Sequence, residues 1–435
     1  MENPLTMTPI SLVFILFMGV LTLLLPRRFG IIPLIVTTCY MPLGQGLQIL
    51  NANFPLFRII IFFGCVRLII RGELNTLKLN IIDKTIIWWV VISIITGTIL
   101  GATFSALIST FGLAYNALGA YFIFRCLIRD INDIRLSLKA IAIIIIPLAI
   151  AMLIEHISGK NFFSIFGGIP EYTIMEGGRL RCRGPFGHPI LAGTFGAVFI
   201  PLFVGLWWEN KRTWFISLFG IIGATIILLT SMSTGPLSSA IFGIMALLMW
   251  PLRGHMKTIK WVMFYSLIAL HMFMKSPVWH LMGRLSNITG GDGWTRSYLI
   301  DAAISHFGEW WLVGTNYTDD WAIFGTSHIS NMTDITNQYI FEAVNGGLLK
   351  MLLFIMIIVV CFREIGKFIK SFENSPSTEK IIIWSMGASL FVNVMSFMSV
   401  SYFDQIIIIW YLLLAFISIG TTYEKEKNDN RKVLT

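Results

Sequence analysis

Apolar runs of roughly 15 to 24 residues, about thirteen of them between Thr8 and Gly420, leave this chain little choice of fold. A bilayer core about 30 Å thick takes about 20 apolar residues as helix, and without water only closed hydrogen-bonded structures satisfy the backbone there. Of 435 residues, 56% are hydrophobic and 13% charged, where soluble domains carry about a quarter charged residues. The expectation is an all-α, polytopic bundle of about 12–13 transmembrane helices, one membrane-embedded domain over residues 1–435.

A net charge of +9 would suit a nucleic-acid binder only if the charge gathered on one face. Placing the spans puts 23 of the 32 Lys and Arg on one side, seven on the other and two, Arg58 and Lys350, inside spans. That is the positive-inside bias, so the basic side is cytoplasmic and no nucleic-acid partner is expected. The first run has no basic segment ahead of it and no small-residue cleavage site, which predicts an uncleaved span with its N-terminus outside. Cys39, Cys65 and Cys361 fall in spans, Cys126 near an inner end and Cys182 in an outer loop, so no disulfide framework is available.

Two polar interruptions, residues 156–189 and 276–337, hold most of the outer-face residues capable of chemistry. In the larger loop, Leu299, Ile300, Ala303, Ile304, Phe307, Trp310 and Trp311 recur at three-and-four spacing, which predicts an amphipathic helix, either on the membrane surface with both tryptophans at headgroup level or merely covering the bundle. It begins at Gly290-Gly-Asp-Gly-Trp-Thr-Arg296, a glycine-rich turn with an arginine at a helix N-terminus, where free N–H groups favour anions. The pattern recurs where Arg179, Arg181 and Arg183 precede Gly184-Pro-Phe-Gly-His188, with Pro189 starting a span. Two anion-ready helix starts on one face suit a diphosphate. The plainer alternative pairs these arginines with Glu171, Glu176 or lipid phosphates. Arg58, in the first turns of its span, adds a cation at the outer interface. In the tight turn Ser231–Pro236, Ser233 or Thr234 can cap the following helix.

The third polar element is Asp334-Ile-Thr-Asn-Gln-Tyr-Ile-Phe-Glu342, leading into a span over residues 338–361. Gln338, Glu342 and Asn345 share one helix face, and polar groups there need a wet cavity or a partner. Asp334 or Thr336 would cap this helix. Lys350 lies about 20 Å along it from Asn337, with no partner identifiable from sequence. Metal-ligand spacing is missing, since His306 and His328 stand alone.

Taken in order, Arg181-Cys-Arg-Gly-Pro-Phe-Gly-His-Pro189, Ser233-Thr-Gly-Pro236, Thr289-Gly-Gly-Asp-Gly-Trp-Thr-Arg296, Leu312-Val-Gly314 and Thr336-Asn-Gln-Tyr339 with Gly347 resemble the bacterial O-antigen ligase and polysaccharide polymerase family. The resemblance covers most of the chain, and order, spacing and membrane side carry it rather than any one motif. It implies a multi-pass glycosyltransferase of the bacterial inner membrane, acting on the periplasmic face upon undecaprenyl-diphosphate-linked oligosaccharide. Arg181 and Arg296 are similar in position to the family's two diphosphate-binding arginines, with Arg183 an alternate for the first. Asn337, Gln338, His188, Arg179 and Arg58 complete the candidate binding set. Membrane lipids and, in an export pathway, flippase and chain-length regulator proteins are the implied partners.

The family's ligases carry His-Asn where Thr336-Asn337 stands here. Without that histidine, Asp334 is the first candidate base, Glu342 the second and His328 the third. The expected reaction is metal-independent and needs no cofactor. The departure favours a polymerase joining lipid-linked repeat units over a ligase transferring finished glycan to lipid A core. A lipid-linked glycan transporter is the alternative of another class, although transporters place polar groups at the bilayer midplane and often show inverted repeats, and no repeat is visible here. A non-enzymatic membrane scaffold is a further alternative.

Overall fold

The computed structural model describes residues 7–49, 52–209, 214–289, 292–321, 334–371 and 377–433. The chain is predominantly helical, with five described helices long and apolar enough to cross a membrane, or six if one bent pair counts as a span. Several runs of the sequence form helices too short, bent or interrupted to meet that measure, and the reasons are local.

Helix α1 (Pro9–Leu24) is capped by Thr8, whose hydroxyl accepts from Ser11 N–H. The next run does not continue as helix. It gives α2 (Ile32–Tyr40), then the hairpin β1 (Gly46–Ile49) and β2 (Ala52–Pro55), as Pro42, Gly44 and Gly46 in the same run would dictate. Helices α3 (Leu56–Ile70), α4 (Ile81–Gly101), α5 (Phe104–Leu127) and α6 (Ile131–Ser158) follow. A hairpin, β3 (Ile174–Glu176) with β4 (Arg179–Arg181), precedes α7 (Pro189–Glu209). In its most apolar stretch α7 is 83% buried, against 22% for α4, so α7 runs through the bundle and α4 along its edge.

Helices α8 (Trp214–Thr230) and α9 (Thr234–Leu248) pack on α7, and a bend of 76° separates α9 from α10 (Met256–Phe273). Then come α11 (Leu281–Thr289), α12 (Gly293–Ser305) and the short α13 (Phe307–Trp310). The predicted amphipathic helix exists, but Leu299, Ala303 and Trp310 pack into a small core with Trp321, Ile335, Ile340, Ala343 and Val344. Part of its apolar stripe thus covers protein, while Ile304, Phe307 and Trp311 stay exposed. Only one of the two tryptophans is exposed: Trp311, while buried Trp310 donates from its indole to Ala303 O (2.7 Å).

The run over residues 338–361 is broken into α14 (Gln338–Val344) and α15 (Gly347–Ser371). The chain after α13 fills the break, with Thr315 N–H donating to Val344 O (2.9 Å) and Leu348 N–H to Trp311 O (2.8 Å). Gly347 (φ 77°) lies on the Leu312 carbonyl and Gly314 (φ 97°) on that of Val344, leaving no room for a side chain at either. Unpaired backbone groups of a broken helix are thereby satisfied from outside it. Helices α16 (Ser377–Ser396) and α17 (Gln405–Val433) complete the fold.

Gly347→Ala or Gly314→Ala will lower stability by about 2 kcal/mol or more, because each adds a left-handed strain to a clash with backbone. Gly366→Ala, which meets nothing within 4 Å inside α15, will raise it by about 0.5–1 kcal/mol. Thermal unfolding in detergent reads all three.

Candidate functional site

Three segments far apart in sequence meet at one end of the bundle, and two of them bring guanidinium groups. The first is the chain between α6 and α7. Glu155, buried near the end of α6, accepts from the N–H groups of Arg183 (3.1 Å) and Gly184 (2.9 Å) and from the Thr173 hydroxyl (2.9 Å). Asn161 Nδ2 donates to Gly184 O (2.7 Å), and Cys182 N–H to Thr230 O (3.1 Å). These bonds fix residues 182–188 on the bundle. Arg183 then folds back to donate to Gly187 O (3.1 Å), and α7 starts at Pro189 as the sequence predicts.

The second segment is the start of α9. Ser233 stands at its N-cap but closes no turn: its hydroxyl donates to Ser231 O (3.0 Å) and lies 3.2 Å from Arg181 Nη2, which donates to it. The capping expected of Ser233 therefore gives way to a contact with Arg181, which also pairs with Glu176. The third segment is α12, which begins at Gly293 with Asp292 before it; Gly290 and Gly291 lie outside the described residues. Arg296 reaches back so that a side chain at Gly235 would stand 3.8 Å from its Nη1. Arg181 and Arg296 thus flank the first turn of α9.

The Nε atoms of Arg181, Arg183 and Arg296 are buried with no hydrogen-bond partner among the described residues. Burial holds Arg296 below its usual pKa, with Arg181 pushing the same way and Asp292 opposing. Arg183 is lowered by burial too, against the pull of Glu155. Cations so placed are poorly compensated by the protein itself.

His188 sits among them. Burial, then Arg181 and Arg183, hold its pKa below the ordinary value, with Glu176 and Asp334 opposing. Its Nδ1 accepts from Ile190 N–H (3.2 Å), so the neutral ring carries its proton on Nε2 and is a donor there. Asp334 is exposed and near enough to act on His188. It does not cap α14, and neither does Thr336. Asn337 does, with Oδ1 accepting from Tyr339 N–H (3.0 Å) and Ile340 N–H (3.2 Å), because it is the residue whose extended backbone immediately precedes the helix.

Other candidates fall elsewhere. Arg179 is exposed on the hairpin. Arg58 stays between α3 and α5, donating to Asn116 Oδ1 (3.2 Å) and lying on Gly112. His328 lies outside the described residues. Glu342 is buried and engaged: it accepts from Gln338 Nε2 (2.7 Å) and Trp89 Nε1 (3.2 Å), and it pairs with Lys350 Nζ (3.2 Å). The partner of Lys350 is therefore a residue one break away in the same run. Gln338 also accepts from Tyr402 N–H (2.6 Å), tying α14 to the segment before α17. Among the described residues no three His, Cys, Asp or Glu side chains gather as a metal site would need.

Glu155 and Asp404 carry no sequence motif that marks them as part of a site. Asp404 precedes α17 with φ 48° and presses its carboxylate on Gly187. It lines a cavity of about 280 Å³ that also takes in Gln338, Glu342 and Lys350. A lone acid between two apolar runs was the available signal.

No known family's sequence profile matches this chain, and no curated protein does.

Glu155→Ala strands two buried N–H groups, each costing about 1–3 kcal/mol, and will lower the thermal midpoint. Arg296→Met removes a cation that burial disfavours and will raise that midpoint. Opposite signs in one thermal-shift series check both.

Proposed function

We propose that this chain is a membrane-embedded glycosyltransferase that polymerises undecaprenyl-diphosphate-linked oligosaccharide repeat units at the periplasmic face of a bacterial inner membrane. In this reading about 12–13 segments cross the bilayer, and the arginine end of the bundle is periplasmic. The observation that carries it is the meeting of three arginines, brought from two loops, whose buried Nε groups find no acceptor among the described residues. Arg125 shares that feature but has Asp83 at 3.4 Å, whereas Arg183 and Arg296 have no carboxylate in ion-pair contact among the described residues. A structural ion pair would supply carboxylates, as Glu176 does for Arg181 alone.

Transfer of a sugar from a lipid diphosphate leaves negative charge on the departing phosphoryl oxygens. Arg181, Arg296 and Arg183, with Nε2–H of His188, are donors fixed before the charge develops, and such donors stabilise it without reorganising. The low dielectric around them strengthens the attraction. Ser233 and the start of α9 lie between Arg181 and Arg296, where free N–H groups of the first turn add to the positive field. Asp334 opposes the depression of the His188 pKa, so its charge acts on the same ring.

The test is chain growth by the purified protein, given polyprenyl-diphosphate-linked repeat units alone. Arg181→Ala and Arg296→Ala will each cut turnover by about 100-fold, the scale of losing one fixed donor. Lys160→Ala, whose partner is the exposed Glu171 (3.5 Å), will stay within about twofold. Arginine variants as active as the wild type would remove these groups from the site.

A further inference from the structure

The cavity beside Asp404 has a wall of two kinds. Trp89, Trp410 and Tyr402 offer ring surface, while Gln338, Asn116 and Asp404 offer hydrogen-bonding groups. At about 280 Å³ it falls just below the roughly 300–1,000 Å³ of small-molecule sites. Most of the wall is apolar, but a lipid tail would leave the Asp404 carboxylate facing hydrocarbon. An anion is poorly served too, since Lys350 is neutralised by Glu342 at 3.2 Å. What fits is a neutral, polyhydroxylated molecule with apolar faces, and a sugar ring is that chemistry.

Asp404 stands where this cavity meets the arginine site. Its carboxylate lies on Gly187, whose carbonyl accepts from Arg183 (3.1 Å). The carboxylate has no hydrogen-bond or ion-pair partner among the described residues, and burial raises its pKa. A left-handed backbone at a non-glycine residue adds strain. Next to it, Gln405 donates to Pro185 O (2.7 Å) and Met41 O (3.1 Å) while its buried Oε1 accepts nothing. Strain, an unpaired carboxylate and an orphaned amide oxygen together disfavour the folded state, which is the pattern of a site kept for a ligand.

We propose that this cavity binds the terminal sugar ring of the acceptor glycan and that Asp404 takes the proton from its attacking hydroxyl. This rests on the glycan-transfer function above. The acceptor O–H bond breaks and its proton goes to Asp404. The freed oxygen bonds to the anomeric carbon of the donor. The bond from that carbon to the diphosphate oxygen breaks, and its electron pair leaves with the diphosphate held by the arginines. Asp404 must be ionised to act, so turnover falls as pH drops through its raised pKa.

The experiment has two arms on the full chain in lipid nanodiscs. In the first, lipid-linked repeat units measure turnover: Asp404→Asn will lose about 100-fold, and Asp404→Glu will recover part of it with a shifted acid limb. The thermal midpoint separates this from misfolding. Because the folded state binds the extra proton between the ordinary and raised pKa values, wild-type stability falls as pH rises through that window. Asp404→Asn will therefore be more stable at neutral pH, with the advantage vanishing in acid. In the second arm, a panel of neutral methyl glycosides is titrated by saturation-transfer NMR, and Trp89→Ala will weaken the bound member about tenfold. Turnover of Asp404→Asn within threefold of wild type overturns the proton role. Glycoside binding that is missing, or equal in Trp89→Ala, overturns the sugar pocket. A wild type that binds glycosides yet transfers no sugar sinks the glycosyltransferase function and the proton role with it, and leaves the pocket standing.

Discussion

A guanidinium without a counter-charge stays in place only if something other than charge holds it, and here backbone hydrogen bonds do the holding. Glu155 grips the N–H groups of Arg183 and Gly184, Asn161 grips the Gly184 carbonyl, and Cys182 is tied to the end of α8. None of these bonds consumes a guanidinium nitrogen. The loop is fixed through its main chain, and the Nε atoms of Arg181 and Arg183 stay unbonded among the described residues.

The opposite end of the bundle shows what the same residue type does when its task is structural. Arg67 is buried against Glu73 (3.0 Å) and also donates to Thr22 O and Leu25 O. Arg27 meets Asp133 (2.6 Å) and Leu127 O (2.6 Å), and Arg135 pairs with Glu209. Asp83 receives both Tyr121 and Arg125. Each of these buried arginines has a carboxylate beside it, even Arg125, whose Nε makes no hydrogen bond among the described residues but lies 3.4 Å from Asp83. Arg183 and Arg296 break that rule at the other end. The contrast within one molecule is sharper than comparison with an average protein, because the same apolar surroundings apply to both.

Much of this was legible in the sequence because the relevant signals are local. Thr8 before an apolar run, Pro189 at a helix start and the glycines after Tyr40 each act through their own backbone. The pairing of Arg181 with Glu176 was also readable as the plain alternative. What the sequence hid depends on partners across the fold. Hydropathy scores a lipid-facing and a protein-facing leucine alike, so it could not show that Leu299 and Ala303 face α14. It also runs through residues 345–346 without a sign of interruption, since Gly346 and Gly347 are tolerated in membrane helices. Only the carbonyls of Leu312 and Val344 make the break necessary. Asp404 showed in the sequence only as a lone acid between apolar runs; its place against Gly187 exists only in the folded chain.

The break between α14 and α15 has a consequence for how the protein is made. Its hydrogen bonds join Trp311 and Thr315 to Leu348 and Val344, residues that leave the ribosome on either side of a long polar stretch. Residues 311–315 must already be at hand when α14 and α15 pack, or the carbonyl of buried Val344 would be left without its donor. Synthesis in N-to-C order supplies that timing. A rearranged gene that delivered the last three helices before the segment preceding them would have to pack α15 with the break before its first turn unsatisfied.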